Sequence, residues 1–232
     1  MNGEENTKRG FRGPIEDHTW PTRLPAHVVQ PGPFPRVHGY DVLRDLSANY
    51  TFAEVALLTL TGEAPTRPCG RAFAVGLAAL APMTIGEAPS HAAYLARLCG
   101  GTSSSALGLG ALVSAERARE LVRAHEAWLR WLADPQGDPP LLGEDTTETK
   151  ALLAGLPTDF ALPWPATVVP GLAATALGVL WQCGLRAPAQ LEAAIVMATL
   201  PALAAEMAHG EGADIRDYPI DTPQFVYEED VP

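Results

Sequence analysis

Few side chains in this chain are spaced for chemistry. Its 232 residues hold six histidines and three cysteines, all scattered. Glu206, His209 and Glu211 form the densest group able to take and give protons, work that requires the groups to converge on one substrate atom. Glu206 and His209 stand three apart at a helix end, however, where an imidazole answers the C-terminal dipole, and the histidine reads that way. His91 opens a helix that also carries Arg97, which suggests a catalytic dyad. A single histidine in a first turn reads more simply as structural. His125, beside Trp128 and Trp131, reads as a half-buried packing residue. Cys69, Cys99 and Cys183 form no CxxC or CxxxC pair, and no two histidines share a helix face with a carboxylate at ligand spacing. Neither a disulfide nor a metal site is expected. The glycine-rich stretch 100–110 lacks the preceding strand and following lysine of a phosphate cradle. No GxGxxG, GxxxxGK[ST], GxSxG or HExxH occurs. Taken singly, the residues show no recognisable active site.

Helices have to position whatever chemistry there is. Residues 1–36 carry Pro14, Pro21, Pro25, Pro31, Pro33 and Pro35 and read as an extended arm, with a short strand at Val28–Val29. Residues 37–133 form a first helical part. Val42, Leu43 and Leu46 make an amphipathic turn, and Thr51 with Glu54 is a capping box opening a helix over Phe52–Thr61 that Gly62 stops. Further helices are predicted over Cys69–Leu80 and over Ser90–Cys99, the latter with Ser90 as N-cap. A small-residue helix follows at Ala106–Leu112. Its Gly108 and Gly110 cost about 1 kcal/mol each against alanine, so another backbone should approach there, either within the chain or across a subunit interface. Ala115–Ala133 is predicted as one helix, with Leu121, His125, Trp128 and Leu132 on one face and Glu126–Arg130 as a favourable pair. Residues 134–165 are a shortened connecting segment with one helix at Thr147–Leu153. Residues 166–210 form a C-terminal helix pair, Ala166–Cys183 and Pro188–Ala208. Residues 211–232 are an acidic tail whose one cation is Arg216. Apart from Val28–Val29, only Phe225–Tyr227 resembles a strand, and the class is all-α.

Composition narrows the function. Sixteen Lys and Arg against 27 Asp and Glu give a formal charge of −11, which argues against nucleic-acid binding because a polyanion needs clustered cations. No apolar run reaches bilayer length; the best, Val168–Trp181, contains Pro170 and reads as a buried helix, so no membrane partner is expected. Met1–Pro14 has no apolar h-region, and no secretory leader is expected. Unpaired cysteines point to a reducing, cytoplasmic setting.

The segment Arg36-Val37-His38-Gly39-Tyr40-Asp41-Val42, followed by Phe52–Thr66 with its ALLTLTGEAPT run, resembles the citrate synthase family, whose members carry an RGY-[DS]-[IV] turn and then a helix of the type sFEEvaxLLLxGxLPt. His38 stands where arginine is usual. His91–Leu98 and the small-residue helix after it are similar to the family's A-ARLxAST region. Gly171–Gly184, Ala198–Glu206 and Ile215-Arg216 are similar to its NVDG helix, its aR-xGwxAH-xxE helix and its iRP tail. The matches span residues 20–113 and 166–230, and the short citryl-CoA-cleaving members are closest in character.

The resemblance implies a citrate synthase-like helical large domain with the small CoA-binding domain largely missing. It also implies that the family's reacting groups are gone. The HGGA histidine falls on Val113–Ala118, which holds no histidine. The GHR loop is missing from the shortened middle, the NVDG aspartate falls on Pro170, and one carboxylate-binding arginine falls on Thr199. Removing a proton beside a thioester needs a positioned carboxylate and donors for the enolate oxygen. No catalytic residue is therefore assigned. Arg216 alone matches a substrate-binding position, and in the family that arginine reaches the neighbouring subunit's site. The expectation is a catalytically incompetent subunit, a homodimer or a heteromer with an intact relative, with no cofactor of its own and a coenzyme A thioester held only through a partner. Two alternatives stand beside it. One is a divergent lyase or synthase using His91, Glu116 or Glu206. The other is a ligand-sensing or scaffolding module whose acidic tail engages a basic partner.

Overall fold

The computed structural model describes residues 26–140, 147–168, 170–209 and 214–218. Chain entry is a three-stranded antiparallel ribbon: β1 (Val29–Gln30), β2 (Arg36–Val37) and β3 (Tyr40–Asp41), with Val29 opposite Val37 and Val37 opposite Tyr40. His38 and Gly39 alone join β2 to β3, both with positive φ (46° and 89°). That is the turn whose twist suits a two-residue hairpin, and the imidazole Nε2 lies 3.2 Å from the Thr59 carbonyl oxygen. The ribbon thus has two strands, β2 and β3, that the sequence does not predict, and Phe225–Tyr227 lies outside the described residues.

A π-type turn (Val42–Leu46) and a single helical turn, α1 (Ser47–Asn49), lead to α2 (Phe52–Thr61). The capping box forms as the sequence predicts: the Thr51 N–H donates to Glu54 Oε2 at 2.7 Å, and the Glu54 N–H donates to Thr51 Oγ1 at 3.3 Å. Gly62, left-handed at φ 82°, ends α2 by donating its N–H to the Leu58 carbonyl. Helix α3 (Arg67–Leu80) is capped by Thr66 and carries proline in its first turn. Helix α4 (Ala88–Leu98) is capped by Glu87, not Ser90; the proline at its second position starts the helix earlier and leaves Ser90 buried within the first turn.

Two predicted helices prove to be one. Helix α5 (Ser103–Ala124) runs unbroken through Gly108 and Gly110 from a Thr102 cap. The predicted Ala115–Ala133 helix instead breaks at His125 (φ −105°, ψ 15°), and α6 (Glu126–Ala133) leaves at a new angle. His125 Nδ1 lies 2.8 Å from the Leu121 carbonyl oxygen, and the break lets α6 bury Trp128, Leu129 and Leu132. Helix α7 (Thr147–Gly155) follows. Helix α8 (Leu172–Gln182) starts six residues later than predicted, because Pro170 lacks an N–H and its ring excludes a preceding helical turn. Helix α9 (Pro188–His209) keeps its N1 proline and tolerates Pro201 on an exposed face.

Side chains from α2, α3, α6 and α8 meet in the main core, where Phe73, Leu177, Leu180 and Trp128 are fully buried. The Trp128 ring stacks on Trp131, meets Trp164 edge-on, and donates its indole N–H to the Ala174 carbonyl at 2.9 Å. A second cluster, Ala93, Ala106, Leu203 and Met207, joins α4, α5 and α9. A Cβ on Gly110 would lie 2.6 Å from the Leu203 side chain and 3.1 Å from Ala93, so this glycine serves packing within the chain. Pro188–Ala208 is, against the sequence expectation, long and apolar enough to cross a membrane by length and composition. In this fold its Leu191, Ala194, Ile195 and Leu203 are buried against the rest of the chain.

Candidate functional site

The ends of α4 and α9 open onto a cleft of about 680 Å³ whose far wall is the single 3-10 turn Ile215–Asp217. Four charged side chains line it: Arg97 from the last turn of α4, Glu206 from α9, and Asp214 and Arg216 from the turn. Arg97 is held where α4 stops. Its Nη1 donates to the Gly101 carbonyl at 2.9 Å, and its Nε is buried with no partner among the described residues. Gly101 packs against the backbone of the same helix end, and its N–H donates to the Ala96 carbonyl at 2.8 Å. The Arg216 N–H donates to Asp214 Oδ1 at 3.0 Å, which fixes the turn that presents the Arg216 guanidinium to the cleft.

Guanidinium groups recognise carboxylate or phosphate oxygens in pairs, through two parallel hydrogen bonds each. Arg97 and Arg216 supply two such groups to the lining of the cleft, and Glu206 and Asp214 set two carboxylates beside them. No histidine lines the cleft among the described residues. His91, in the second turn of α4, points elsewhere: its Nε2 lies 3.0 Å from the Tyr218 hydroxyl, with the two rings edge to face at 5.7 Å. The pair ties α4 to the segment carrying Arg216. The imidazole therefore has a structural partner, and the predicted dyad with Arg97 is not assembled.

The other sequence candidates separate. Glu116 sits on the exposed face of α5, 4.0 Å from Arg119, and does not line the cleft. The His209 side chain and Glu211 lie outside the described residues. Thr199, where the resemblance puts a family arginine, is buried in the seam between α5 and α9; it donates to the Val196 carbonyl at 3.0 Å and pairs with Ser114 Oγ at 2.7 Å. Pro170, where the resemblance puts the family's aspartate, is buried, and its carbonyl accepts the Thr175 hydroxyl at 3.0 Å. No cluster of three or more His, Cys, Asp or Glu able to hold a metal occurs among the described residues.

Sequence reasoning singled out Arg216, which lines the cleft, but missed two groups. Arg97 was visible only as a companion of His91, although its place one residue before the Leu98 helix end and next to Gly100-Gly101 marks a side chain presented at a helix terminus. The cysteines are scattered along the sequence and free, yet Cys69 and Cys183 meet, each sulfur within 4 Å of the other's carbonyl oxygen (3.8 and 3.5 Å). Packing of α3 on α8 joins positions 114 residues apart, which no local pattern reveals.

No family model matches the chain, and no curated protein sequence matches it. Solved structures do. The structure of citryl-CoA lyase from Hydrogenobacter thermophilus superposes with a TM-score of 0.58 at 16% identity, over 89% of this chain and 97% of that one. ATP citrate lyase from Methanothrix soehngenii, in complex with citrate and coenzyme A, gives 0.61 at 12% identity, and a mutant ATP citrate lyase of Methanosaeta concilii in complex with (3S)-citryl-CoA gives 0.60 at 12%. Both of those alignments take in 93% of this chain and 44% of the longer partner, so this chain spans less than half of an ATP citrate lyase. At such identities the likeness is one of fold, and the chain has the mostly helical fold of the citrate synthase and citryl-CoA lyase type.

Proposed function

We propose that this chain is a subunit that holds an anionic substrate group without moving protons: catalytically incompetent alone, and a dimer partner or regulatory subunit of an enzyme that condenses an acyl-CoA with a 2-oxo acid or cleaves citryl-CoA. The observation that supports the anion-holding half of this reading is the pair of guanidinium groups, Arg97 and Arg216, in the lining of the cleft. Enolate chemistry beside a thioester needs a base and a neutral or cationic donor at one carbon. Buried Pro170, at the position the family resemblance gives the base, supplies neither.

Helix α5 supports the partnering half of the proposal. Ser105, Gly108, Leu109, Leu112 and Ala115 form an exposed stripe at helical spacing, with Leu109 41% and Leu112 63% exposed. Nothing lies within 4 Å of a Cβ built on Gly108, so a second helix has room to lie close along this face. In a heteromer, Arg216 completes the partner's site, and a coenzyme A thioester is held through that partner, in the cytoplasm.

Native mass spectrometry of the full chain, run beside a citryl-CoA cleavage assay, tests both halves. A dimer that becomes monomeric in Leu112→Glu, with no turnover by the pure chain, is the expected result. A wild-type monomer overturns the partnering. Turnover overturns the incompetence.

One observation favours a second reading, a divergent lyase: the alignment takes in 97% of a chain described as citryl-CoA lyase. Glu206 is then the general base of the cleft, because His91 is tied to Tyr218 and Glu116 faces away from it. Citryl-CoA cleavage that is lost in Glu206→Gln and in Arg97→Ala decides for this reading.

A further inference from the structure

Cys69 and Cys183 are brought together at a point the proposed function does not use. Cys69 is the third residue of α3, and its N–H donates to Thr66 Oγ1; Cys183 is the residue on which α8 ends, followed by left-handed Gly184. Each thiol donates to the other residue's backbone carbonyl, at 3.8 Å from Cys69 and 3.5 Å from Cys183. Both line an open recess of about 480 Å³ shared with Glu63, Thr66 and Arg186. Cys69 is half-buried and Cys183 buried, whereas Cys99 is exposed and lines the other cleft.

We propose that Cys69 and Cys183 are an oxidisable dithiol, which a hydroperoxide entering this recess converts into a disulfide that fastens the start of α3 to the end of α8. The hydrogen bond from Cys183 holds the Cys69 thiol below its ordinary range, outweighing burial. The N-terminus of the 14-residue α3 favours the thiolate further. The bond to Cys69 and its own burial push Cys183 up, against the pull of Arg186. Cys69 is accordingly the attacking sulfur and Cys183 the resolving one. The Cys69 thiolate attacks one peroxide oxygen, the O–O bond breaks, and the sulfenic acid forms with release of hydroxide or alkoxide. The Cys183 sulfur then displaces the hydroxyl from Cys69. The S–S bond forms, the S–O bond breaks, and the Cys183 proton leaves with the hydroxyl as water. The two thiols lose two electrons in total and the peroxide gains them.

The full wild-type chain is treated with hydrogen peroxide, alkylated in denaturant without reduction, and mapped by mass spectrometry. The expected product is a chain 2 Da lighter, with a Cys69–Cys183 peptide and one alkylatable thiol left of three. Cys99→Ser keeps the cross-link. Cys183→Ser traps a Cys69 sulfenic acid that dimedone labels, and Cys69→Ser leaves Cys183 reduced at the same dose. Wild-type protein in which Cys69 and Cys183 both remain alkylatable while Cys99 is oxidised overturns the proposal. So does dimedone labelling of Cys183 ahead of Cys69.

Discussion

Two seams of the molecule are built on opposite principles. Where α3, α6 and α8 meet, large side chains fill the space: Phe73, Trp128 and Trp164 supply the volume, and the Trp128 indole finds a backbone acceptor on α8. Where α4, α5 and α9 meet, Leu203 and Met207 are buried against the small residues Ala93, Ala106, Gly110, Ser114 and Thr199, and backbones come close. The first seam draws its stability from buried apolar area. The second buries less and orders the chain through close approach and one hydroxyl pair, and the ends of its helices carry the candidate cleft.

Replacing the central ring should hurt most. Trp128→Ala removes a fully buried indole and its hydrogen bond to Ala174, and urea unfolding should show a loss of about 3–5 kcal/mol. A loss under 1 kcal/mol would erase the distinction between the seams. In the small-residue seam the damaging change is an added side chain. Gly110→Val pushes a Cβ against Leu203 and Ala93 and should cost about 1–3 kcal/mol by the same measurement. Removing a hydroxyl comes next. Thr199 gives its proton to the Val196 carbonyl, so its oxygen accepts from Ser114. Thr199→Val strands the Ser114 donor at a cost of about 1–3 kcal/mol, and adding Ser114→Ala should recover part of it in a double-mutant cycle. Purely additive losses would show the pair to be independent. Leu112→Glu, on the exposed face of the same seam, should move unfolding by no more than about 0.5 kcal/mol while changing the mass in solution. A large loss of monomer stability would mean that Leu112 belongs to the chain's own core.

What could be read from the residues was what a few neighbours decide. Thr51 and Glu54 satisfy each other's backbone donors three residues apart, and Gly62 ends the same helix by a local left-handed turn, so both ends of α2 were legible. Arg216 was singled out only because Ile215-Arg216 resembles the iRP tail of the citrate synthase family. The break at His125 was not, because the amphipathic pattern continues through it and only the burial of Trp128 under α8 turns the chain. Ser90 looked like a cap because it is the right residue type, yet proline one position earlier had already started the helix.

Composition, caps and apolar spacing by themselves determined an all-α chain and most of its helix starts and stops, since each depends on side-chain type or on contacts within one turn. Only the tertiary structure decided that Arg97 joins Arg216 in one cleft, that His91 is spent on Tyr218, and that Cys69 finds Cys183. Those meetings depend on how whole helices cross, and the crossings follow from summed packing over many residues that no short stretch of sequence contains.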